Sequence, residues 1–155
     1  MAFRLDLFIS FAVFTAVVSS TTAASAVDLD PKAIAIKLPD QIEWKDNGGN
    51  RTTNLVGDPS KPGIYAQMLT WKKGNNFSRP HFHPNDRYIY VLSGTWWVGT
   101  GNKFDPANLT VPVKAGSYVT HFAKQVHWDG AKDEDATILL VGEGPATSTL
   151  VEETK

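Results

Sequence analysis

From Ala33 onward the chain never sustains a period of 3.6. Its apolar residues fall in short runs rich in β-branched and aromatic side chains, cut by Gly, Pro, Asn and Asp. Such runs, recurring about every 8–12 residues, are the pattern of an antiparallel sandwich or barrel. They predict strands over Ala33 to Leu38, Ile42 to Trp44, Ile64 to Trp71, Phe77 to His83, Tyr88 to Leu92, Thr95 to Val98, Leu109 to Val113, Tyr118 to His121, His127 to Gly130 and Ala136 to Val141. Asp46-Asn47-Gly48-Gly49-Asn50 reads as a turn cluster. Gly57 to Gly63 reads as a stiff loop, because its two prolines cannot donate to a ladder. The fold class that follows is all-β, and 155 residues support one domain with one closed core.

The amino terminus stands apart from that pattern. Arg4 gives a short basic region, Leu7 to Val18 an apolar core, and Ala24-Ser25-Ala26 a small-x-small cleavage site. Together they predict a secretory signal peptide over residues 1–26, a mature chain beginning near Val27, and a secreted or periplasmic location without stable membrane insertion after cleavage. The chain has no cysteine, so stability in an oxidising compartment has to come from core packing. With 15 basic and 16 acidic residues the net charge is −1, which leaves no electrostatic footprint for nucleic acid. A small molecule is the expected partner.

The chemistry concentrates in Pro80-His81-Phe82-His83-Pro84-Asn85-Asp86-Arg87. Histidines one residue apart in an extended segment share a face, with Cα atoms roughly 6.5–7 Å apart, and can close on one metal ion. A third imidazole follows at His127, and a fourth, His121, completes the chain's histidines. If Tyr118 to His121 and His127 to Gly130 form a hairpin, His121 and His127 sit opposite each other. His121 is then a fourth ligand, an outer base or a hydrogen-bond donor to substrate. Asp86 reaches the metal only through a one-residue register slip, which the Tyr88-Ile89-Tyr90-Val91 alternation opposes.

At these residues the sequence resembles the cupin superfamily, whose first motif runs G-x5-H-x-H-x3,4-E-x6-G and whose second runs G-x5-P-x-G-x2-H. Gly74, His81, His83 and Gly94 follow the first motif with one residue of slack, and Gly116 and His127 follow the second. Arg87 stands where the family has glutamate, and Phe122 and Lys124 stand where it has proline and glycine. The resemblance implies a single-domain jelly-roll β-barrel of two antiparallel sheets over residues 27–155, with core motifs at 74–94 and 116–127, and a homodimer.

It also implies a divalent transition metal on His81, His83 and His127, with iron first and manganese or zinc as alternatives. A guanidinium has no lone pair to donate, so the loss of glutamate leaves a three-histidine set. Arg87 is then placed to grip a substrate anion, or else to pair with Asp86. Gln67 and Trp96 are the other expected substrate contacts, and His121 the expected acid or base. The function this implies is a non-haem-iron dioxygenase-like enzyme acting on a small anionic or enolisable substrate. The alternative is a non-catalytic extracytoplasmic binder of a metal or organic acid. Without Pro and Gly, the turn before His127 is expected to change conformation or carry strain.

Overall fold

A computed structural model describes residues 29–154; the expected signal peptide lies outside the described residues. Residues 29–36 form a separate unit built on a turn at Asp30, whose carboxylate accepts the Lys32 amide at 2.9 Å and whose carbonyl accepts the Ala33 amide at 3.0 Å. Ala33 to Leu38, expected as the first strand, is not one: Ala33 ends a turn and residues 34–38 have no regular structure. Ile34, Ile36 and Leu38 are all exposed, and no ladder pairs them.

The body from residue 37 holds a single 3-10 turn, Pro39–Gln41, and twelve strands: β1 Lys45–Asp46, β2 Asn50–Val56, β3 Gly63–Trp71, β4 Asn76–Phe77, β5 His81–Phe82, β6 Arg87–Ser93, β7 Thr95–Thr100, β8 Val111–Lys114, β9 Tyr118–His121, β10 His127–Ala131, β11 Ala136–Gly144 and β12 Thr149–Leu150. All pairings are antiparallel, in two sheets ordered β1-β2-β3-β11-β6-β9 and β12-β5-β10-β7-β8, with β4 also on β10. This is the expected all-β jelly-roll barrel.

Alternation along the long strands builds its core. Ile89 and Val91 of β6 and Ile138 and Leu140 of β11 point inward, meeting Trp96 of β7 and Ala131 of β10 from the other sheet. The β6–β7 turn requires glycine at Gly94, where φ is +72° and a Cβ would fall 2.0 Å from the Asp135 carbonyl oxygen. Trp96 and Trp97 face opposite ways, as adjacent strand residues must: Trp96 is buried, and Trp97 lies under the Lys132 ammonium at 3.7 Å.

Three further expectations are corrected. Ile42 to Trp44 is unpaired, and the first ladder residues are Lys45 and Asp46. The run Phe77 to His83 is two short strands, because Ser78-Arg79-Pro80 breaks the ladder and Pro80 has no amide to give. β9 and β10 do not form a hairpin: β9 pairs with β6, and β10 with β4, β5 and β7.

Candidate metal centre

Two strands and a loop bring the three expected ligands together. His81 on β5 and His127 on β10 are Cα partners across an antiparallel ladder, and His83 lies just past the end of β5. All three are buried, and each offers a ligand atom within 4.8 Å of the others. His81 Nδ1 donates to the Arg79 carbonyl at 2.7 Å, His83 Nδ1 to the Thr147 carbonyl at 2.9 Å, and His127 Nδ1 to the Gln125 carbonyl at 3.0 Å.

A carbonyl can only accept, so each ring's proton is committed to Nδ1 and each Nε2 keeps a lone pair. His81 Nε2 and His83 Nε2 stand 3.1 Å apart, and buried His127 Nε2 has no partner. Lone pairs crowded this way repel one another and suit a shared cation. Backbone carbonyls fixing the tautomer from behind are the usual outer support of metal-binding histidines. The residues present therefore fit a divalent transition metal, which would take His81, His83 and His127 through Nε2.

The electrostatics keep the rings of His83 and His127 neutral. Burial, with the nearby Arg87 charge, pushes His83 down to about 3, and burial, with His81, pushes His127 down to about 4. Neutral imidazole is the form that binds metal.

Arg87 enters from β6, paired in register with His121 of β9. It does not bond to Asp86; its Nη1 donates to His83 Nε2 at 2.5 Å, and its buried Nε has no partner. Asp86 instead accepts the Ala123 amide at 2.7 Å, which ties the loop before His127 to the end of β6. The Lys124 amide donates to the His83 carbonyl at 2.7 Å, and Lys124 holds a left-handed φ of +61° where the resemblance has glycine. The turn before His127 thus contains a non-glycine residue in the left-handed region, and strain is the outcome of the two expected.

His121 is buried against His127, and neither of its ring nitrogens has a partner. Burial, then the neighbouring His127, pushes it down to about 2. Gln67 lines the cavity beside His81, His83 and Arg87, with its amide donating to Asn54 Oδ1 at 2.8 Å. Trp96 is placed differently from the expectation of a substrate contact. It is completely buried in the core and packs beside His121, ring centroids 5.4 Å apart, because its strand position faces the barrel interior below the cavity lining.

Asp129 was missed. It follows His127 by two in β10, shares its inward face, and lines the same cavity of about 350 Å³ as His81, His83, Arg87, Tyr65 and Gln67. Burial holds its proton on above the ordinary carboxylate range, against the pull of His81 and Arg87. The signal was legible in His127-Trp128-Asp129, where period two puts the acid on the ligand's face.

Neither a protein-family model nor a curated protein sequence matches the chain. Solved structures do match in fold. The polyketide cyclase RemF from Streptomyces resistomycificus superposes with a TM-score of 0.64 at 14% identity over 79% of this chain and 88% of that one. A double-stranded β-helix protein from Klebsiella pneumoniae gives 0.57 at 21% over 76% and 97%, and an RmlC-like cupin from Shewanella frigidimarina 0.55 at 17% over 69% and 87%. The fold is that of the cupins, with a three-histidine group able to hold a metal ion at its centre.

Proposed function

We propose that this chain is a metal-dependent cupin enzyme that binds a small anionic or enolisable substrate at a three-histidine centre, with iron as the metal and dioxygen as co-substrate. The observation carrying the reading is that three buried Nε2 lone pairs converge while each Nδ1 is locked on a backbone carbonyl. Bound there, the metal supplies Lewis acidity and open positions for a chelating substrate and dioxygen. Arg87 directs its unpartnered Nε and its remaining donors at the substrate anion, and the buried Tyr65 hydroxyl, also unpartnered, donates beside it. His121, neutral and buried against His127, serves the centre as a hydrogen-bond donor and not as a base, because burial holds it at about 2. Leu69, Ile138 and Leu140 wall the cavity and limit water.

The setting we propose is extracytoplasmic, following residues 1–26 read as a signal peptide, and the assembly a homodimer. The exposed outer face of β6 and β9, with Tyr88, Tyr90, Leu92 and Tyr118, supports the latter.

A non-redox role is the second reading, with zinc or manganese acting as a Lewis acid alone. The cyclase likeness and the acid Asp129, which burial shifts above the ordinary carboxylate range, favour it. Elemental analysis of untagged protein purified without chelator, beside His81→Ala, separates the readings. Stoichiometric iron that is lost in the variant, with oxygen consumption on small carboxylates or diketones, supports the first. Zinc or manganese supports the second, and no metal in either protein overturns both.

A further inference from the structure

On the sheet that carries β3, β11, β6 and β9, the inward-facing residues stand in rows across the strands, and the row that carries Arg87 is unlike its neighbours. Gly142 of β11 is the Cα partner of Tyr65 on β3 and of Arg87 on β6. The next two rows on the same face, Gln67–Leu140–Ile89 and Leu69–Ile138–Val91, are apolar apart from Gln67. Neighbouring strands lie about 4.8 Å apart, so the backbones of Tyr65 and Arg87 stand roughly 10 Å apart with only a glycine between them. The Tyr65 ring occupies part of that gap: a Cβ on Gly142 would fall 3.0 Å from the phenol oxygen and 3.1 Å from Cε1. The ring therefore reaches from β3 over β11, which carries its hydroxyl toward β6 and Arg87.

That hydroxyl is buried and has no partner among the described residues, and the same is true of Arg87 Nε. Buried donors left unsatisfied are costly unless an acceptor joins them. Both residues line the cavity that holds His81 and His83, and Arg87 Nη1 reaches His83 Nε2, so an acceptor placed there lies beside the metal centre. Charge limits what that acceptor is. Arg87 is the only lysine or arginine among the described residues lining the cavity, and Asp129 the only acid. One fixed cation offsets one anionic group. A second carboxylate, or the second charge of a phosphate, would meet Leu69, Ile138, Leu140 and Asp129 and no further cation.

We propose that the space over Gly142, between the Tyr65 hydroxyl and the Arg87 guanidinium, is the subsite for a single substrate carboxylate, and that the substrate is a monocarboxylic acid whose uncharged body lies along Leu140, Leu69 and Ile138. The inference deepens the reading above and rests on it for the metal beside the subsite. Tyr65 and Arg87 set specificity by direct contact, and Gly142 is a positioning residue that leaves room for the phenol.

The test titrates pentanoate, glutarate and inorganic phosphate calorimetrically into the full chain, both stripped by chelator and loaded with Zn²⁺. Pentanoate and glutarate share a chain length and differ by one carboxylate. Pentanoate is expected to bind both forms, with glutarate and phosphate at least about tenfold weaker. Tyr65→Phe, which removes one oxygen, is expected to weaken pentanoate about tenfold and leave Zn²⁺ affinity unchanged. Gly142→Ala, which crowds the phenol, is expected to weaken pentanoate by less, again with Zn²⁺ affinity unchanged; Tyr65→Phe carries the test if the alanine variant does not fold. A purely structural Tyr65 would move the melting temperature and leave pentanoate affinity at the wild-type level. That result, no pentanoate binding to either form, or glutarate or phosphate bound as tightly as pentanoate, overturns the subsite while the metal centre stands. A wild type that takes up no Zn²⁺, but whose stripped form binds pentanoate in a Tyr65-dependent way, overturns the metal reading and leaves the subsite in place.

Discussion

The rings of His121 and His127 lie 3.8 Å apart, centroid to centroid, although the strands that carry them belong to different sheets. The contact is made across the barrel interior. β9 hangs on β6, where His121 is in register with Arg87, while β10 hangs on β5, where His127 is in register with His81. The two imidazoles therefore meet from opposite walls with their planes tilted by 42°, and His121 presses on His127 without a hydrogen bond of its own.

An imidazole buried with both nitrogens unpaired is a cost to the fold. Replacing it by an apolar ring of similar size removes two unsatisfied polar atoms, so His121→Phe is expected to fold with stability equal to or about 1 kcal/mol above the wild type. Metal content is expected to stay at the wild-type level, with turnover lost. Denaturant melts and elemental analysis check this; loss of metal would make His121 a ligand.

What the sequence discloses and what it hides follow one rule. Strands whose inner and outer faces differ in polarity, such as Tyr88 to Leu92 and Ala136 to Val141, are legible, because period two needs no knowledge of the partner. β2, Asn50–Val56, was missed because its NRTTNLV run is polar; it is a strand by virtue of the β3 ladder that it completes. β12 was missed because two residues carry no period. The pairing of His81 with His83 was legible from spacing and His127 joined them through the resemblance, whereas the direction of Arg87 depends on its pairing with β9, and Asp129 gains meaning only when β10 is seen to face the cavity.

The loop before His127 offers a backbone test. Lys124 sits at φ +61°, a conformation that costs a side-chain-bearing residue roughly 1–2 kcal/mol. Glycine would relieve that strain but lose more freedom on folding. Lys124→Gly is therefore expected to stabilise the protein by up to about 1 kcal/mol. Because the amide keeps its bond to the His83 carbonyl, metal affinity should not change. Paired melts and Co²⁺ titrations of the variant and wild type measure both.

Acid should unfold the metal-free protein early. His83, His127 and His121 are pushed to about 3, 4 and 2 from an ordinary value of 6.5, so below that value the unfolded chain binds protons that the folded chain refuses. Stability is then full above pH 6.5 and falls as pH drops toward 4. The slope is up to about 1.4 kcal/mol per pH unit for each ring that stays neutral. Asp129, whose folded value is raised, acts with the opposite sign, losing stability as pH climbs from 3.8, but it is one group against three. Denaturant midpoints across this range should drop steeply on the acid side, and bound metal should flatten the curve until protons displace it.

Arg87 and the metal compete for one lone pair. The guanidinium donates to His83 Nε2 at 2.5 Å, which is the atom that a metal must take. Loading the site therefore breaks that bond and brings a divalent ion close to a fixed positive charge. Two unit charges 4 Å apart repel by about 4 kcal/mol at an effective dielectric of about 20. Even if solvent screens most of this, Arg87→Ala is expected to raise metal affinity at least about tenfold. The same variant should bind small carboxylates more weakly, because the freed guanidinium is what the loaded site offers to an anion. Arg87→Lys separates the effects: it keeps the charge, so metal affinity should stay near the wild type, but it loses the planar fork, so carboxylate affinity should fall. Calorimetric titration of metal and then of a carboxylate into all three proteins reads both effects. An Arg87→Ala protein whose metal affinity is unchanged would mean that the guanidinium already lies clear of the ion in the loaded state.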